Sequence, residues 1–326
     1  MIDVIPCPRV VAVVVTRNRQ ALLMRCLEAV WSQDRRPDLV IVVDNAGDQP
    51  LDAVLAPAPD LRLLRLADNL GPAAAFGLAI REALAGGADF VWMMDDDGVP
   101  ADPGCLSGLL ATAARENADL VSPLIRDIDQ PDRLAFPIRQ RNRTRFTVAA
   151  LEDAPLMEGF AHLFNGALVA GRVFARIGLP DPRLFIRGDE VEFLLRARRA
   201  GLRVLTDRRL SFLHPSCGHE IHPILGGRFY AMIPNDATKC FYQFRNRGWI
   251  FARYGMWSWL AADHVRYACW FLSGARDPVG YLRWLRTTWT GVLGRLGSGG
   301  GAASVICVPA GVPAAAAPNA FLERAA

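Results

Sequence analysis

Short apolar runs that end in polar residues alternate with stretches of helical periodicity in the first third of the chain. Residues 10–15 form one such run, Thr16-Arg17-Asn18 ends it, and residues 20–33 then place apolar side chains every three or four positions. Residues 39–43 and 61–66 are further apolar runs of strand length. Strand, helix and strand, with polar residues at the carboxyl end of each strand, predict a nucleotide-binding βαβ unit of an α/β fold.

The apolar run at residues 90–94 ends in three consecutive carboxylates, Asp95, Asp96 and Asp97. A strand buried on both faces delivers such residues to the sheet edge where open α/β folds hold their ligands. Alternate side chains of an extended segment point the same way, so Asp95 and Asp97 can share one divalent cation while Asp96 turns toward sugar hydroxyls or ribose. The alternative is a solvated acidic turn, because Asp and Gly are ordinary turn residues.

Two further segments each allow a structural and a functional interpretation. The loop Asp68-Asn69-Leu70-Gly71-Pro72 opens a predicted helix at residues 73–85, and it is either a phosphate or ribose neighbour or a plain helix cap. A helix is predicted at residues 103–117 and a strand at residues 119–123. The arginine-rich residues 126–145 lack periodicity, which indicates an excursion over the active face or a simple surface loop.

A second cluster of polar residues begins at Asp189 and Glu190, in the first turn of a predicted helix. A carboxylate at a helix start is either a partner of the helix dipole or a base presented rigidly to a cleft. Short strands are predicted at residues 203–206 and 211–214, and the second of them ends in His214.

Four potential metal ligands crowd into nine residues: His214, Cys217, His219 and His222. Their spacing does not match the common zinc patterns, so the zinc interpretation is set aside. His214 alone, as the third ligand of a cation held by the acidic run, is more economical. An imidazole ligand favours manganese over magnesium.

Beyond residue 234 the chain becomes rich in tryptophan and arginine with helical periodicity. Such helices suit a lipid headgroup interface, or they form a layer packed on the main sheet with arginines exposed. The predicted organisation is a catalytic domain at residues 1–230, a helical region at 231–296 and a disordered Gly/Ala/Pro tail at 297–326.

Composition narrows the functional classes. The chain has 326 residues, a net charge of +4 and seven scattered cysteines, which predict free thiols in a reducing compartment. The first residues do not resemble a signal peptide, and no apolar run reaches eighteen residues, so a cytoplasmic protein is expected. No G-x-G-x-x-G follows the first strand, which disfavours a dinucleotide oxidoreductase, and nothing beyond the arginines supports nucleic-acid binding. A non-catalytic sugar-nucleotide scaffold is disfavoured because candidate base and metal residues are present.

Taken together, these motifs resemble the inverting family 2 glycosyltransferases with the GT-A fold, over residues 10 to about 290. Within that family the resemblance is to galactofuranosyltransferases that initiate cell-wall galactan. The motifs that show this resemblance are Leu134-Ala135-Phe136-Pro137, Leu163-Phe164-Asn165-Gly166-Ala167-Leu168, Arg183-Leu184-Phe185-Ile186-Arg187-Gly188-Asp189-Glu190-Val191-Glu192, Leu213-His214-Pro215 and Tyr242-Gln243-Phe244-Arg245-Asn246-Arg247-Gly248.

The resemblance implies a GT-A nucleotide-sugar-binding, Rossmann-like mixed sheet with a C-terminal helical extension. It implies UDP-galactofuranose as donor, a rhamnosyl-N-acetylglucosaminyl diphospho-polyprenol as acceptor, and Mn²⁺ or Mg²⁺ as cofactor. The enzyme would be peripheral at the inner face of the plasma membrane, and a homo-oligomer is compatible with this. The alternative is a rhamnosyltransferase of the cell envelope that uses dTDP-rhamnose.

The resemblance also implies roles for individual residues. The nucleotide site comprises Thr16, Arg17, Asp44, Asn69, Asp95 and Asp96. The metal ligands are Asp95, Asp97 and His214. Glu190 falls at the base position, where the family usually has Asp, so Asp189 remains an alternative base. Trp92, with Asp96, is expected to shape the sugar pocket. Phe76 stands where many relatives have an arginine, so no diphosphate contact is assigned to its helix.

Overall fold

A computed structural model describes residues 7–56, 58–141 and 143–297. The chain divides into two compact units. The first unit comprises the chain up to Pro182 together with Glu190–Ser216, and the second comprises Arg183–Asp189 and the chain from Cys217 onward. The second unit therefore begins before residue 231, where the sequence analysis places a domain boundary. Residues 298–326, most of the predicted disordered tail, lie outside the described residues.

The first unit is built on an eleven-stranded sheet with helices on both faces. Its strands are β1 (Val10–Thr16), β2 (Leu39–Asp44), β3 (Leu61–Arg65), β4 (Phe90–Asp95), β5 (Val99–Pro100), β6 (Leu120–Asp127), β7 (Arg133–Gln140), β8 (Arg143–Thr147), β9 (Leu156–Glu158), β10 (Asn165–Ala170) and β11 (Val204–His214). Its helices are α1 (Gln20–Trp31), α2 (Gly71–Ala85), α3 (Cys105–Glu116), α4 (Gly171–Ile177) and α5 (Asp189–Arg199).

The sheet is mixed, as predicted. Strands β3, β2, β1 and β4 are parallel neighbours, and β6 runs parallel to β11. Strand β10 lies antiparallel between β4 and β6. Alternate residues of β1 enter opposite cores: Val11 and Val13 pack with helices α2 and α5, whereas Val10 and Val14 pack with α1 and α3. Burial on both faces explains why β1 is a continuous apolar run.

The register of the parallel strands brings their carboxyl ends to one edge. Thr16 pairs with Asp44 of β2, and Val15 pairs with Asp95 of β4. The polar residues that end three separate apolar runs therefore lie side by side, as the βαβ interpretation requires.

Residues 126–145 were expected to be irregular, and the structure corrects this. Strands β7 and β8 form an antiparallel hairpin there, and β7 also pairs with β6. Leu134 and Ile138 are buried in a small separate core with Leu124 and Leu151. The apolar residues of β7 form one short run at residues 134–138, and the arginines around it and a proline within it concealed the strand in the sequence.

The two short strands predicted at 203–206 and 211–214 are one strand, β11, interrupted by a register shift between Asp207 and Ser211. Asp207 is buried at this irregularity, where its carboxylate accepts hydrogen bonds from Thr112 and Arg209. In the sequence, polar residues inside β11 suggest that one strand ends and another begins. In the structure, Asp207 is bonded by the nearby Arg209 and the strand continues.

The second unit is largely helical, in agreement with the predicted C-terminal extension. It contains the hairpin β12 (Ile221–Ile224) and β13 (Phe229–Met232), the helices α6 (Ala237–Arg253), α7 (Trp257–Ala268) and α8 (Pro278–Val292), and a π-helical segment, Cys269–Gly274. Helices α6 and α8 approach closely: a Cβ at Gly248 would lie 2.2 Å from the Thr288 carbonyl oxygen.

Two sequence expectations concern thiols and membrane crossing. Six described cysteines are free thiols, as predicted, and Cys307 lies outside the described residues. Within the described ranges, no helix combines the length and the hydropathy needed to cross a bilayer.

Candidate active site

Asp96, the second residue of the acidic run, is the most buried of the three carboxylates. Its Oδ2 accepts a 2.6 Å hydrogen bond from the Thr16 hydroxyl, and its Oδ1 lies 3.2 Å from Nη1 of Arg19. Burial raises the pKa of Asp96 to about 6, although the Arg19 charge and the Thr16 hydrogen bond oppose the rise. This carboxylate ties the end of β1 and the start of α1 to the acidic run. The predicted contact of Asp96 with a sugar remains a prediction.

Asp97 joins the same network from the next position. Its Oδ2 accepts a 2.6 Å hydrogen bond from Arg19, and its Oδ1 lies 3.1 Å from Nε2 of His214. Burial alone would raise the pKa of Asp97, but the hydrogen bonds and charges of His214 and Arg19 lower it well below its usual range. The structure thus brings together two predicted metal ligands that are more than a hundred residues apart in sequence.

Gly98 explains how His214 reaches the acidic run. Strand β5, which follows Gly98, pairs with the end of β11. A Cβ at Gly98 would lie 2.3 Å from the Phe212 ring, so only glycine allows this approach.

The predicted metal ligands can be tested for their fit to a divalent cation. In the parts of the chain that the structure describes, no three His, Cys, Asp or Glu side chains are arranged to hold a metal ion. Carboxylates and an imidazole are nevertheless donors that suit Mn²⁺, and Oδ1 of Asp97 is buried with Nε2 of His214 3.1 Å away. Asp97 and His214 therefore fit a cation chemically, and Asp95 as the third ligand remains a prediction.

The predicted nucleotide residues lie at the ends of β1 and β2 and in the loop before α2. Asp44 is buried, accepts a 2.8 Å hydrogen bond from the Gly47 amide and lies 3.8 Å from Nε of Arg65. Arg17 is exposed and donates to the Ala46 carbonyl. Asp44 is thus held by its own turn, and Arg17 presents an exposed guanidinium beside it.

Asn69 has a local structural role. Its Oδ1 accepts a 3.0 Å hydrogen bond from the Gly71 amide, and Asn45, which the sequence analysis did not single out, accepts from the Leu70 amide in the same way. The loop before α2 is thereby fastened to the end of β2. The N-cap residue of α2, Leu70, makes no side-chain cap hydrogen bond, and only Pro72 in the first turn matches the capping interpretation. A nucleotide contact of Asn69 remains a prediction.

Glu190 is a partly exposed carboxylate with a defined backbone partner. Its Oε1 accepts a 2.7 Å hydrogen bond from the Leu163 amide, and Nδ1 of His162 lies 3.4 Å from the same oxygen. The Glu190 side chain is 25% exposed, whereas Asp189 is 4% exposed. A base must reach its substrate, so this difference favours Glu190 over Asp189.

His162 is a candidate site residue that sequence reasoning missed. Its ring lies 4.9 Å from that of Phe136 and 5.0 Å from that of Phe160, and Phe136 also lies 4.8 Å from the ring of His214. Phe136 therefore bridges the two histidines that accompany the acidic run and Glu190. In the sequence, a single histidine before an apolar segment does not indicate such a role.

Trp92 is not part of a sugar pocket, so that prediction was wrong. It is fully buried in the core beside α1 and α3, and its indole N–H donates a 2.9 Å hydrogen bond to the Gly166 carbonyl. Phe76, to which no diphosphate contact was assigned, stacks on Phe164 at 4.1 Å. Position within β4 and α2 directs both side chains into packed cores.

Comparison with known proteins bears on this arrangement. A family model described as glycosyl transferase family 2 matches residues 11–166. The chain is 42% identical over 302 residues to galactofuranosyltransferase GlfT1 of Mycobacterium tuberculosis, which covers 90% of this chain and 99% of that protein. It is also 42% identical over 285 residues to GlfT1 of Mycolicibacterium smegmatis, covering 85% and 94%. A more distant relative, dTDP-rhamnosyl transferase RfbF of Shigella flexneri, is 27% identical over 194 residues, covering 59% and 64%.

Solved structures resemble the fold at low identity. Residues 1–349 of S. aureus TarS superpose with a TM-score of 0.55 at 14% identity, covering 88% of this chain and 82% of that one. GalNAc-T7, solved with UDP, GalNAc and Mn²⁺, has a TM-score of 0.50 at 16% identity, covering 65% and 44%. These likenesses confirm the predicted GT-A fold.

Replacement of Asp96 by Asn should change how stability depends on pH in protein kept free of metal. Burial raises the pKa of Asp96, so between about pH 4 and 6 this carboxyl is protonated in the folded state and ionised in the unfolded state. The free energy of unfolding of wild type therefore falls as the pH rises through this window. The variant cannot titrate there, so its free energy of unfolding relative to wild type should rise by up to about 3 kcal/mol from pH 4 to 7.

Urea unfolding followed by circular dichroism in EDTA measures this difference. The lowered pKa of Asp97 makes the free energy of unfolding rise with pH, at lower pH values, and it does so in wild type and variant alike. A difference that stays constant between pH 4 and 7 would contradict the prediction.

Proposed function

The chain belongs to glycosyl transferase family 2, and from this premise we propose that it transfers galactofuranose from UDP-galactofuranose to a rhamnosyl-N-acetylglucosaminyl diphospho-polyprenol. The observation that carries the proposal is the similarity to galactofuranosyltransferase GlfT1 over nearly the whole chain. The acidic edge and the carboxylate of Glu190 supply the chemical groups that such a transfer requires.

The donor would bind at the carboxyl edge of β1, β2 and β4. Thr16, Arg17, Asp44 and Asn69 are proposed neighbours of the uridine, with Asp95 and Asp96 closing the site. Asp95, Asp97 and His214 would hold a divalent cation, which neutralises charge on the departing UDP when bound. The Mn²⁺ in the solved GalNAc-T7 structure supports a divalent metal for this fold, and manganese is the metal proposed here.

The acceptor hydroxyl must lose a proton as it attacks the sugar. Glu190 is the proposed base, because its carboxylate is partly exposed and is held by the Leu163 amide and His162. The hydrogen bond from the Leu163 amide fixes the position of this carboxylate. A single carboxylate on the acceptor side lets the hydroxyl attack opposite UDP, which predicts inversion at the transferred sugar.

A second candidate is rhamnosyl transfer from dTDP-rhamnose, which the distant similarity to RfbF favours. The greater identity to GlfT1 makes galactofuranose the preferred donor. Both candidates share the fold and the catalytic groups, so only a comparison of donors separates them.

The first measurement is transfer from UDP-galactofuranose to a synthetic rhamnosyl-N-acetylglucosaminyl diphospho-lipid, with Mn²⁺ and with EDTA, followed by mass spectrometry. We expect a gain of one or more hexoses that EDTA abolishes, because Asp97 and His214 would then lack their cation. Addition of a deoxyhexose from dTDP-rhamnose, without transfer from UDP-galactofuranose, would overturn the donor assignment and keep the enzyme class.

Glu190→Gln should lower the rate of transfer by at least about a hundredfold because the proton acceptor is lost. UDP binding, measured by calorimetry, should stay unchanged because the uridine neighbours are elsewhere in the first unit. Asp189→Asn is the matched control. Retained turnover in Glu190→Gln together with loss in Asp189→Asn would move the base to Asp189.

We also propose that the second unit docks on an anionic lipid surface. Large apolar side chains are exposed between residues 257 and 293 of this unit, and they are Trp257, Trp259, Val265, Leu272, Val279, Leu282, Trp289 and Leu293. The exposed charges of this stretch are arginines, because its two acids are both engaged: Asp263 is buried between Arg247 and Arg266, and Asp277 caps α8. Exposed tryptophan and leucine with arginine are the composition of membrane-interface helices.

Leu282→Ser should weaken binding to vesicles that contain phosphatidylglycerol by about fivefold, since it removes exposed apolar surface from this region. Val54→Ser, an exposed apolar position of the first unit, is the control and should bind as wild type does. Co-sedimentation measures both. Equal sedimentation of the two variants, or binding of wild type to neutral vesicles alone, would contradict the proposed surface.

A further inference from the structure

The segment that precedes the candidate base is held by helix α6, and we propose that Arg245 and Asn246 are positioning residues for the transfer reaction. They fix residues 183–188, here called the base loop, from which α5 starts with Asp189 and Glu190. The inference rests on the proposed function, because it assumes that a carboxylate at the start of α5 is the base. The base loop, Asp189 and α6 all belong to the second unit.

The base loop has a backbone that its residues would not adopt on their own. Phe185 and Arg187 have φ values of 63° and 64°, and Gly188 has a φ of 93°. L-residues avoid this left-handed region because the Cβ crowds the following carbonyl oxygen. Such conformations persist only where surrounding contacts enforce them.

Asn246 supplies contacts of that kind. It is fully buried, and its Nδ2 donates to three base-loop carbonyls, those of Leu184, Ile186 and Arg187. An amide nitrogen carries two hydrogens, so the three acceptors use both of them and one hydrogen is shared between two carbonyls. One side chain therefore satisfies the inward-facing carbonyls of the loop.

Arg245 fixes the orientation of that amide and extends the hold on the loop. Its Nε donates a 2.9 Å hydrogen bond to Oδ1 of Asn246, which leaves Nδ2 facing the base loop. Its Nη2 donates a 2.8 Å hydrogen bond to the Arg183 carbonyl. Its guanidinium lies 4.6 Å from the centre of the Tyr242 ring, and Tyr242 stacks on Phe185 at 4.7 Å. Tyr242, Arg245 and Asn246 of α6 thus hold the base loop together, and they are called the clamp below.

Two further contacts close the loop onto the same unit. Arg187 donates to both carboxylate oxygens of the buried Glu220, at 2.9 and 2.8 Å. A Cβ at Gly188 would lie 3.1 Å from Cβ of Asn246 and 3.3 Å from Cδ1 of Ile250, so the loop backbone rests directly on α6.

The geometry assigns the clamp a role in catalysis through chain continuity. Gly188 is followed immediately by Asp189 and Glu190, so a shift of the loop moves the backbone that carries both carboxylates. Displacement of a base by about 1 Å is enough to slow a reaction by roughly a hundredfold. Loss of the clamp should therefore lower kcat more than it lowers substrate binding.

The test uses the full-length protein with Asn246→Ala, which removes the three donated hydrogen bonds. We expect kcat to fall about tenfold or more with KM for the donor and UDP affinity nearly unchanged. Hydrogen exchange of the peptide that spans residues 183–189 should accelerate. Arg245→Lys, which keeps the charge but loses the planar fork, should show the same pattern more weakly.

Phe251→Leu is the matched control for stability. Phe251 is a buried residue of α6 whose ring lies under the Arg247 guanidinium. It should lower the thermal midpoint of unfolding while leaving kcat and exchange of the 183–189 peptide near wild-type values. A purely structural role for Asn246 predicts equal losses of kcat in the two variants at equal losses of thermal stability.

The outcomes are distinct. Faster exchange with unchanged kcat would overturn the positioning role, and unchanged exchange would overturn the clamp itself. An equal fall in kcat in Phe251→Leu would also overturn the positioning role. If wild type transfers no galactofuranose, the proposed donor fails, while the exchange measurement still decides whether Asn246 holds the loop.

Discussion

The candidate active site depends on how the first unit accommodates a buried negative charge. A carboxylate removed from water is costly unless it is hydrogen-bonded and paired, and Thr16 and Arg19 offset part of this cost for Asp96, whose pKa is still raised. Arg19 is shared with Asp97, which in turn faces His214. One buried charge thus organises the ends of β1 and β11 and the start of α1 around the acidic run.

In the second unit the buried groups that need partners are neutral backbone carbonyls. Buried backbone carbonyls require donors, and the loop before α5 faces them toward α6 in a left-handed conformation. Asn246 and Arg245 supply those donors, and aromatic stacking fills the space around them. One part of the polar core of this unit therefore lies where the chain leads to the candidate base.

The chemistry proposed for this family 2 chain lies at the carboxyl edge of the parallel strands, where open α/β sheets bind their ligands. Within that frame the structure distinguishes two adjacent carboxylates. Glu190 is partly exposed and receives a backbone N–H, whereas Asp189 is buried. His162 and Phe136 add an aromatic link between Glu190 and His214 that no motif in the sequence announces.

The sequence by itself determined the parallel strands, most helix positions and the acidic edge, because buried strands read as continuous apolar runs and helices as periodic ones. It also placed Asp97 and His214 in one candidate site, first as the economical choice of a third metal ligand and then through the family resemblance. It missed the β7–β8 hairpin and split β11, because arginines and a buried Asp207 interrupt their apolar patterns. The hydrogen bonds that Asp207 accepts from Thr112 and Arg209 form only in the folded chain. It misplaced Trp92, since periodicity cannot tell a pocket wall from a core.

The pairing of His162 with Glu190 and the clamp on residues 183–188 were decided only by tertiary structure, because each joins residues that are far apart in sequence and lack any shared pattern.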